Sequence, residues 1–396
     1  MKRCACLAGL LMVNAASAQD FSLHAYADGR LVSAPDETSW TQGGLGKTRY
    51  GDGGVQTKFG GAAVVGTAQI TPALLAFGDV QFQNTDRATV DVLEAYLRYR
   101  PVSLSRWRWT LQAGEFFPPI SLENNAVGWT SPWTLTPSAI NSWVGEELRV
   151  FGAEGRLEWR GDIHTFELRT ALFQRNDPAG NILSARGWSL SDLTYGLGSR
   201  LREPDIESEP TARYDPFQKI GDRTGWYGDL RWHATGIGSI NLMRYDNRAY
   251  PDAHTASGVF AWRTHFWSLG ATTDTGPITW IAQAMQGSTA VEPFDDTRFT
   301  TGFRSAFLLA GWNLGQWRPA LRVEHFSTRD TGYEAGVVEG EHGNAITAAL
   351  NWRPHDWLRF TAELLRIDST RTQRADAGLS PKADFTQMQL SVRLLY

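Results

Sequence analysis

Phe385-Thr386-Gln387-Met388-Gln389-Leu390-Ser391-Val392-Arg393-Leu394-Leu395-Tyr396 closes the sequence. Met388, Leu390, Val392, Leu394 and Tyr396 fall at every second position, and Thr386, Gln387, Gln389, Ser391 and Arg393 are the polar residues between them. A period of two with one apolar and one polar face predicts a strand that meets lipid on one side and water on the other. An open sheet edge cannot be left in hydrocarbon, so such a strand has to belong to a closed barrel.

The other end of the sequence agrees. Lys2 and Arg3 form a short basic start, Cys4 to Val13 an apolar run, and Ala16-Ser17-Ala18 a small-residue cleavage site. Together these predict a secretory signal peptide over residues 1–18 and a single barrel domain over 19–396. The apolar run is far below the roughly 20 residues that a spanning helix needs. Both cysteines, Cys4 and Cys6, lie in the leader, and they precede its apolar core, which excludes a lipoprotein signal.

Hydrophobic residues make up 42% of the chain, yet no apolar stretch after residue 18 is long enough for a spanning helix, and the mean hydropathy is negative. Barrels combine these properties because the residues facing the lumen halve the apparent hydrophobicity of each strand. The formal charge of -4 argues against a nucleic-acid binder, which would show a basic patch.

Strand-like runs cover residues 21–33, 55–71, 75–83, 90–100, 107–117, 148–160, 163–174, 225–233, 239–245, 259–271, 279–286, 299–313, 317–327, 344–352, 358–367 and 384–396. Short and long connections alternate between them, as periplasmic turns and external loops do in the outer membrane of a Gram-negative bacterium. The fold expected is therefore an all-β, 16-stranded antiparallel transmembrane barrel, in contact with outer-membrane lipids including lipopolysaccharide. Trp107, Trp109, Trp159, Trp232, Trp280, Trp312, Trp317, Trp352 and Trp357 all sit beside the short turns. Indole prefers the headgroup level, so these residues predict an aromatic girdle at one membrane interface.

Parity assigns the lumen. Glu94, Tyr96, Arg98 and Arg100 share one face of their strand, with Leu93, Ala95, Leu97 and Tyr99 on the other. The same argument places Arg108, Arg156, Arg169, Arg231, Arg322, Glu324 and Arg359 on the wet face. A bore lined with both signs has a strong local field but no ring of one sign, which suits hydrophilic solutes with a modest charge preference.

The long connection over residues 118–147 is expected to fold inward and narrow the bore. Pro118, Pro119, Pro132 and Pro137 stiffen it, and Trp129, Trp133 and Trp143 offer packing surface. Glu115, Glu123, Glu146 and Glu147 would bring carboxylates to a constriction opposite wall arginines. Across such a gap a transverse field would order water and select dipolar solutes.

Gly114-Glu115-Phe116-Phe117-Pro118-Pro119-Ile120-Ser121-Leu122-Glu123-Asn124 resembles the segment from strand end to loop in the phosphate-selective porin O and P group. The resemblance implies a trimeric, sixteen-stranded outer-membrane channel whose loop between the fifth and sixth strands enters the barrel. The dense arginine and lysine ladder of that group is not matched here, because after the leader the lysines are only Lys47, Lys58, Lys219 and Lys382.

No catalytic, metal or cofactor site is expected. His24, His164, His233, His254, His265, His325, His342 and His355 lack metal-ligand spacing, and there is no Gly-x-Ser-x-Gly elbow. Gly44-Leu45-Gly46-Lys47-Thr48 imitates the end of a phosphate-binding loop, but Thr41 stands where its first glycine belongs. Three readings remain: a passive diffusion channel, an adhesin or receptor acting through external loops, chiefly 176–223, and a sugar-specific pore with an aromatic slide.

Overall fold

The computed structural model describes residues 20–83, 89–204, 213–294, 297–332 and 339–396, so the leader expected over 1–18 lies outside the described residues. The strands, in chain order, are β1 (Phe21–Ser33), β2 (Val55–Thr71), β3 (Leu74–Phe82), β4 (Val90–Tyr99), β5 (Trp107–Phe116), β6 (Val150–Arg160), β7 (His164–Gln174), β8 (Leu201–Arg202), β9 (Arg213–Tyr214) and β10 (Gly225–Ala234). They continue with β11 (Gly238–Asp246), β12 (Arg263–Thr275), β13 (Ile278–Phe294), β14 (Thr297–Trp312), β15 (Trp317–Thr331), β16 (Glu339–His355), β17 (Leu358–Arg371) and β18 (Lys382–Leu395). Sixteen of these close into one antiparallel barrel, and β8 and β9 form a separate two-stranded hairpin.

The closing stretch does what its alternation requires. β18 pairs with β1 from Tyr26↔Leu395 to Ser33↔Met388, which seals the barrel and leaves no edge. Met388, Leu390, Val392 and Leu394 are 46 to 57% exposed on the outside, while Gln387, Gln389, Ser391 and Arg393 are buried inside. The barrel thus has its apolar face outward, the reverse of a soluble protein.

The start of β1, the end of β18 and the tight turns share one end of the barrel. There Trp317 pairs with Trp352 across β15 and β16, with ring centroids 5.5 Å apart, and Trp107 pairs with Trp159 across β5 and β6. None of the nine turn-proximal tryptophans is buried.

Three departures from the sequence reading have local causes. The strand expected from residue 259 begins at Arg263, because His254 and Phe260 first form a small bridge of their own in the loop. β13, β16 and β17 run past the lengths that their apolar alternation marks, since they continue as polar ribbon at the loop end. A register shift between Asp79 and Val80 bulges the β3–β4 pair and turns Leu93, expected outside, into a fully buried residue.

Candidate functional site

Two segments between strands make buried hydrogen bonds to polar side chains of the barrel wall. The first, residues 118–147, follows the end of β5, where Gly114, with a φ of 140° and a 2.3 Å approach of any Cβ to the Ala95 carbonyl oxygen, leaves no room for a side chain. It ends in helix α1 (Ala139–Glu147), which Ser138 caps by accepting from the Asn141 amide at 3.3 Å. The wall completes that cap. Glu324 accepts from Ala139 N–H at 2.7 Å, and Glu123 accepts from Ser138 N–H at 2.6 Å, so two carboxylates meet the positive end of the helix.

Arg322 ties these acids together. Its guanidinium lies fully buried, 2.9 Å from Glu324 and 3.2 Å from Glu123, and donates to the carbonyls of Thr136 (2.9 Å) and Pro137 (3.0 Å). Glu363 accepts from the amides of Leu135 and Thr136 at 2.6 Å and 3.1 Å, and Asn351 donates to the Trp133 carbonyl at 2.7 Å. Arg322, Glu324 and Glu363 therefore hold the segment's backbone and do not face open water.

The second segment runs from Asn176 to Arg202 and was expected outside. Most of residues 176–199 are instead buried, and Trp188 has no exposed surface. Helix α2 (Asn181–Arg186) meets α1 end on: Glu147 accepts from Gly180 N–H and from Leu183 N–H, capping α2, and Glu146 pairs with Arg186. Burial pushes both carboxyls up to about 7, further than Arg186, Ser189, Trp143 and the Gly180 amide pull them down. On the wall side, Ser184 Oγ lies 2.8 Å from Thr301 Oγ1, and Trp188 N–H donates to Glu341 at 2.9 Å. Lys47 stands 2.5 Å from the same Glu341, and its burial lowers its pKa to about 8.

The remaining sequence candidates fall in separate places. Glu94 accepts from Phe117 N–H at 2.9 Å at the root of the first segment, close to Glu115, whose carboxylate oxygens have no hydrogen bond among the described residues. Arg149 lies over the Phe117 ring at 3.2 Å, bracing the segment's two ends. Arg156 and Arg169 both pair with Glu167, and Arg231 lies 4.0 Å from Asp229. Arg98 donates to Gln112 and to Tyr96, whereas Arg108 is half-buried near the turn end. Trp129 stacks on Phe117 at 4.3 Å, and Trp143 packs among Trp188, Phe266 and Phe303. Trp143 is spent on packing, whereas Trp129 is half-buried and lines the side of two cavities.

A chain of cavities remains between segments and wall. At the terminal end a vestibule of about 640 Å³ is lined by Arg318, Arg353, Arg359 and Arg393, with Asp356 as its one acidic side chain among the described residues. At the loop end a second cavity of about 440 Å³ is lined by Arg49, Lys58, Arg200 and Arg202, with no acidic side chain among the described residues. Between them lies a slot of about 10 Å³ that shares Tyr26, Thr130 and Arg393 with the first and Leu193 with the second. That volume suits about one water molecule. A side pocket of about 220 Å³ lies between the first segment and Glu94, Arg98, Arg156 and Arg169.

Sequence reasoning missed the charges at this slot. Arg30 lies 2.9 Å from Asp28 and 2.7 Å from Asp192, Arg49 lies 3.2 Å from Asp192, and Arg393 lies 2.7 Å from Asp28. The alternation of Asp28 and Arg30 along β1 carries the parity signal used elsewhere; Asp192, in a loop, carries none. Among the described residues no group of histidine, cysteine and acidic side chains is arranged to hold a metal ion.

Residues 231–394 match the family model described as phosphate-selective porin O and P. No sequence among the curated proteins matches the chain. Among solved structures, the outer membrane channel DcaP of Acinetobacter baumannii aligns with a TM-score of 0.58 at 10% identity, over 96% of this chain and 97% of that one. The anion-selective porin from Comamonas acidovorans gives 0.52 at 11% identity over 96% and 100%. Salmonella typhi OmpF, solved with daunomycin, gives 0.53 at 13% over 96% and 98%. At such identities the likeness to these structures is one of fold. The chain thus has the closed barrel and polar bore of outer-membrane porins, and over residues 231–394, from within β10 to β18, it resembles the phosphate-selective porin O and P group.

Proposed function

We propose that the protein is a passive diffusion channel for small hydrophilic solutes, with residues 118–147 as a constriction inside the bore and with a modest preference for anions. The observation that carries this reading is the line of cavities, about 640, 10 and 440 Å³, running between the two segments and the inner wall. Beyond the pairs Arg353–Asp356 and Arg393–Asp28, the first cavity carries Arg318 and Arg359, an excess of positive charge that raises the local concentration of anions at that mouth. A bore that narrows to one water passes solutes when its inner segments shift, so its conductance should be small.

No enzymatic role is part of this reading. The adhesin reading loses its main support, since most of the described part of 176–223 lies inside the barrel. A homotrimer is part of the proposal. The outer face of β1, β2 and β3 carries Ala27, Gly29, Ala62, Gly66, Ala68 and Gly78 between Phe21, Leu23, Leu31 and Phe59, and a patch of small residues lets a second copy approach closely.

Reconstitution into a planar bilayer tests the proposal. Stepwise conductance that grows when residues 125–136 are deleted supports it; a deletion that leaves the step size unchanged would remove the segment from the path.

A further inference from the structure

We infer that the tightest point of the path is built by the connection between β7 and β10, whose Asp192 reaches across the bore to the wall and sets the charge preference of the slot. The inference rests on the channel reading above and names which segment and which carboxylate govern it.

The slot lies where residues 191–194 of the second segment face 128–131 and 135–137 of the first, with Tyr26 and Arg393 of the wall beside them. Asp192 is the carboxylate in its lining and Arg393 the cation. The Asp192 carboxylate spans two cations from different elements, 2.7 Å from Arg30 on β1 and 3.2 Å from Arg49 in the connection between β1 and β2. Its neighbours fix it further: Ser191 N–H donates to Ser142 Oγ at 2.9 Å, and Thr194 N–H donates to Gln83 at 3.1 Å. Burial alone would favour the neutral acid, but the two guanidiniums hold Asp192 below the usual carboxylate range, so it is charged near neutrality.

Its charge decides the balance of the passage. Around the slot, Asp28 and Asp192 face Arg30, Arg49 and Arg393. Without Asp192, three guanidiniums would stand against one carboxylate, and the narrowest point would gain one net positive charge.

Single-channel recording of the D192C protein tests this, because one channel can be read before and after a thiol reagent is added. D192C is expected to shift the anion-to-cation ratio toward anions by about fivefold, the Boltzmann factor for one unit charge at ~4 Å in water. A sulfonatoethyl thiosulfonate should reverse that shift, and a trimethylammonium-ethyl thiosulfonate should enlarge it. S191C, which leaves the Asp192 contacts in place, lines the same slot and should respond to the two reagents in the same opposite senses even if D192C fails to assemble. The parent chain without an introduced cysteine should ignore both. If the parent channel conducts but neither variant responds, the second segment does not form the slot and this inference alone falls. A parent protein that never conducts would overturn the channel reading and this inference with it.

Discussion

Arg322 shows how much a single parity assignment can and cannot say. Alternation along β15 puts it on the wet face, and it does face inward, but six donor contacts to acids, carbonyls and hydroxyls leave it no water. Removing one member of a buried ionic cluster leaves its partners uncompensated, typically at about 3–5 kcal/mol. R322A should therefore loosen residues 134–141 by about that amount while the barrel stays closed. Hydrogen exchange should then accelerate at those amides and remain slow in β15; uniform protection would contradict the role assigned to Arg322. Arg359 is the opposite case, a vestibule cation whose Nε has no hydrogen bond among the described residues. R359Q should move the reversal potential toward cations without changing stability, and an unchanged potential would exclude Arg359 from the pore's charge balance.

Helices α1 and α2 act as one internal element, joined by Glu146 and Glu147. Both carboxyls are displaced from an ordinary 4.5 up to about 7 when packed. A raised value means that the packed state binds the proton more tightly than the released one. The stabilisation is complete below about 4.5 and is lost as pH rises through about 7. Acid should therefore hold the segments closed and mild alkali should release them. The open probability should fall by about tenfold per unit of displaced pKa on going from pH 8 to pH 5, and E147Q should weaken that dependence. A pH-independent open probability in the unmodified channel would refute the coupling. Strand periodicity cannot reveal this element. The alternation at 385–396 marks a wall whose every residue has only two directions to point, whereas 176–199 has no period and its polar residues look solvated until their partners on β14, β16 and α1 are known. For the same reason composition draws attention to Glu123 and Trp133 in the 118–147 connection, but Asp192 was not legible at all.

At the scale of the whole molecule the barrel reads plainly from sequence, because apolar-out alternation, paired tryptophans at the turns and an even strand number are all imposed by the bilayer. What fills the barrel is imposed by nothing so regular. The small-residue face of β1 to β3 should mark the contact between copies: bulky replacements such as A27W and G66W should convert trimers to monomers in mild detergent, whereas a replacement on the leucine-rich face of β17, such as L364W, should not. The account as a whole depends on water and ions crossing a bore that two segments narrow to a slot. Single-channel recording of the purified, unmodified protein in a planar lipid bilayer tests that most directly. The prediction is discrete steps of small conductance with a modest anion preference; a bilayer that stays silent at every voltage, or one that shows the large steady conductance of an unobstructed barrel, would contradict it.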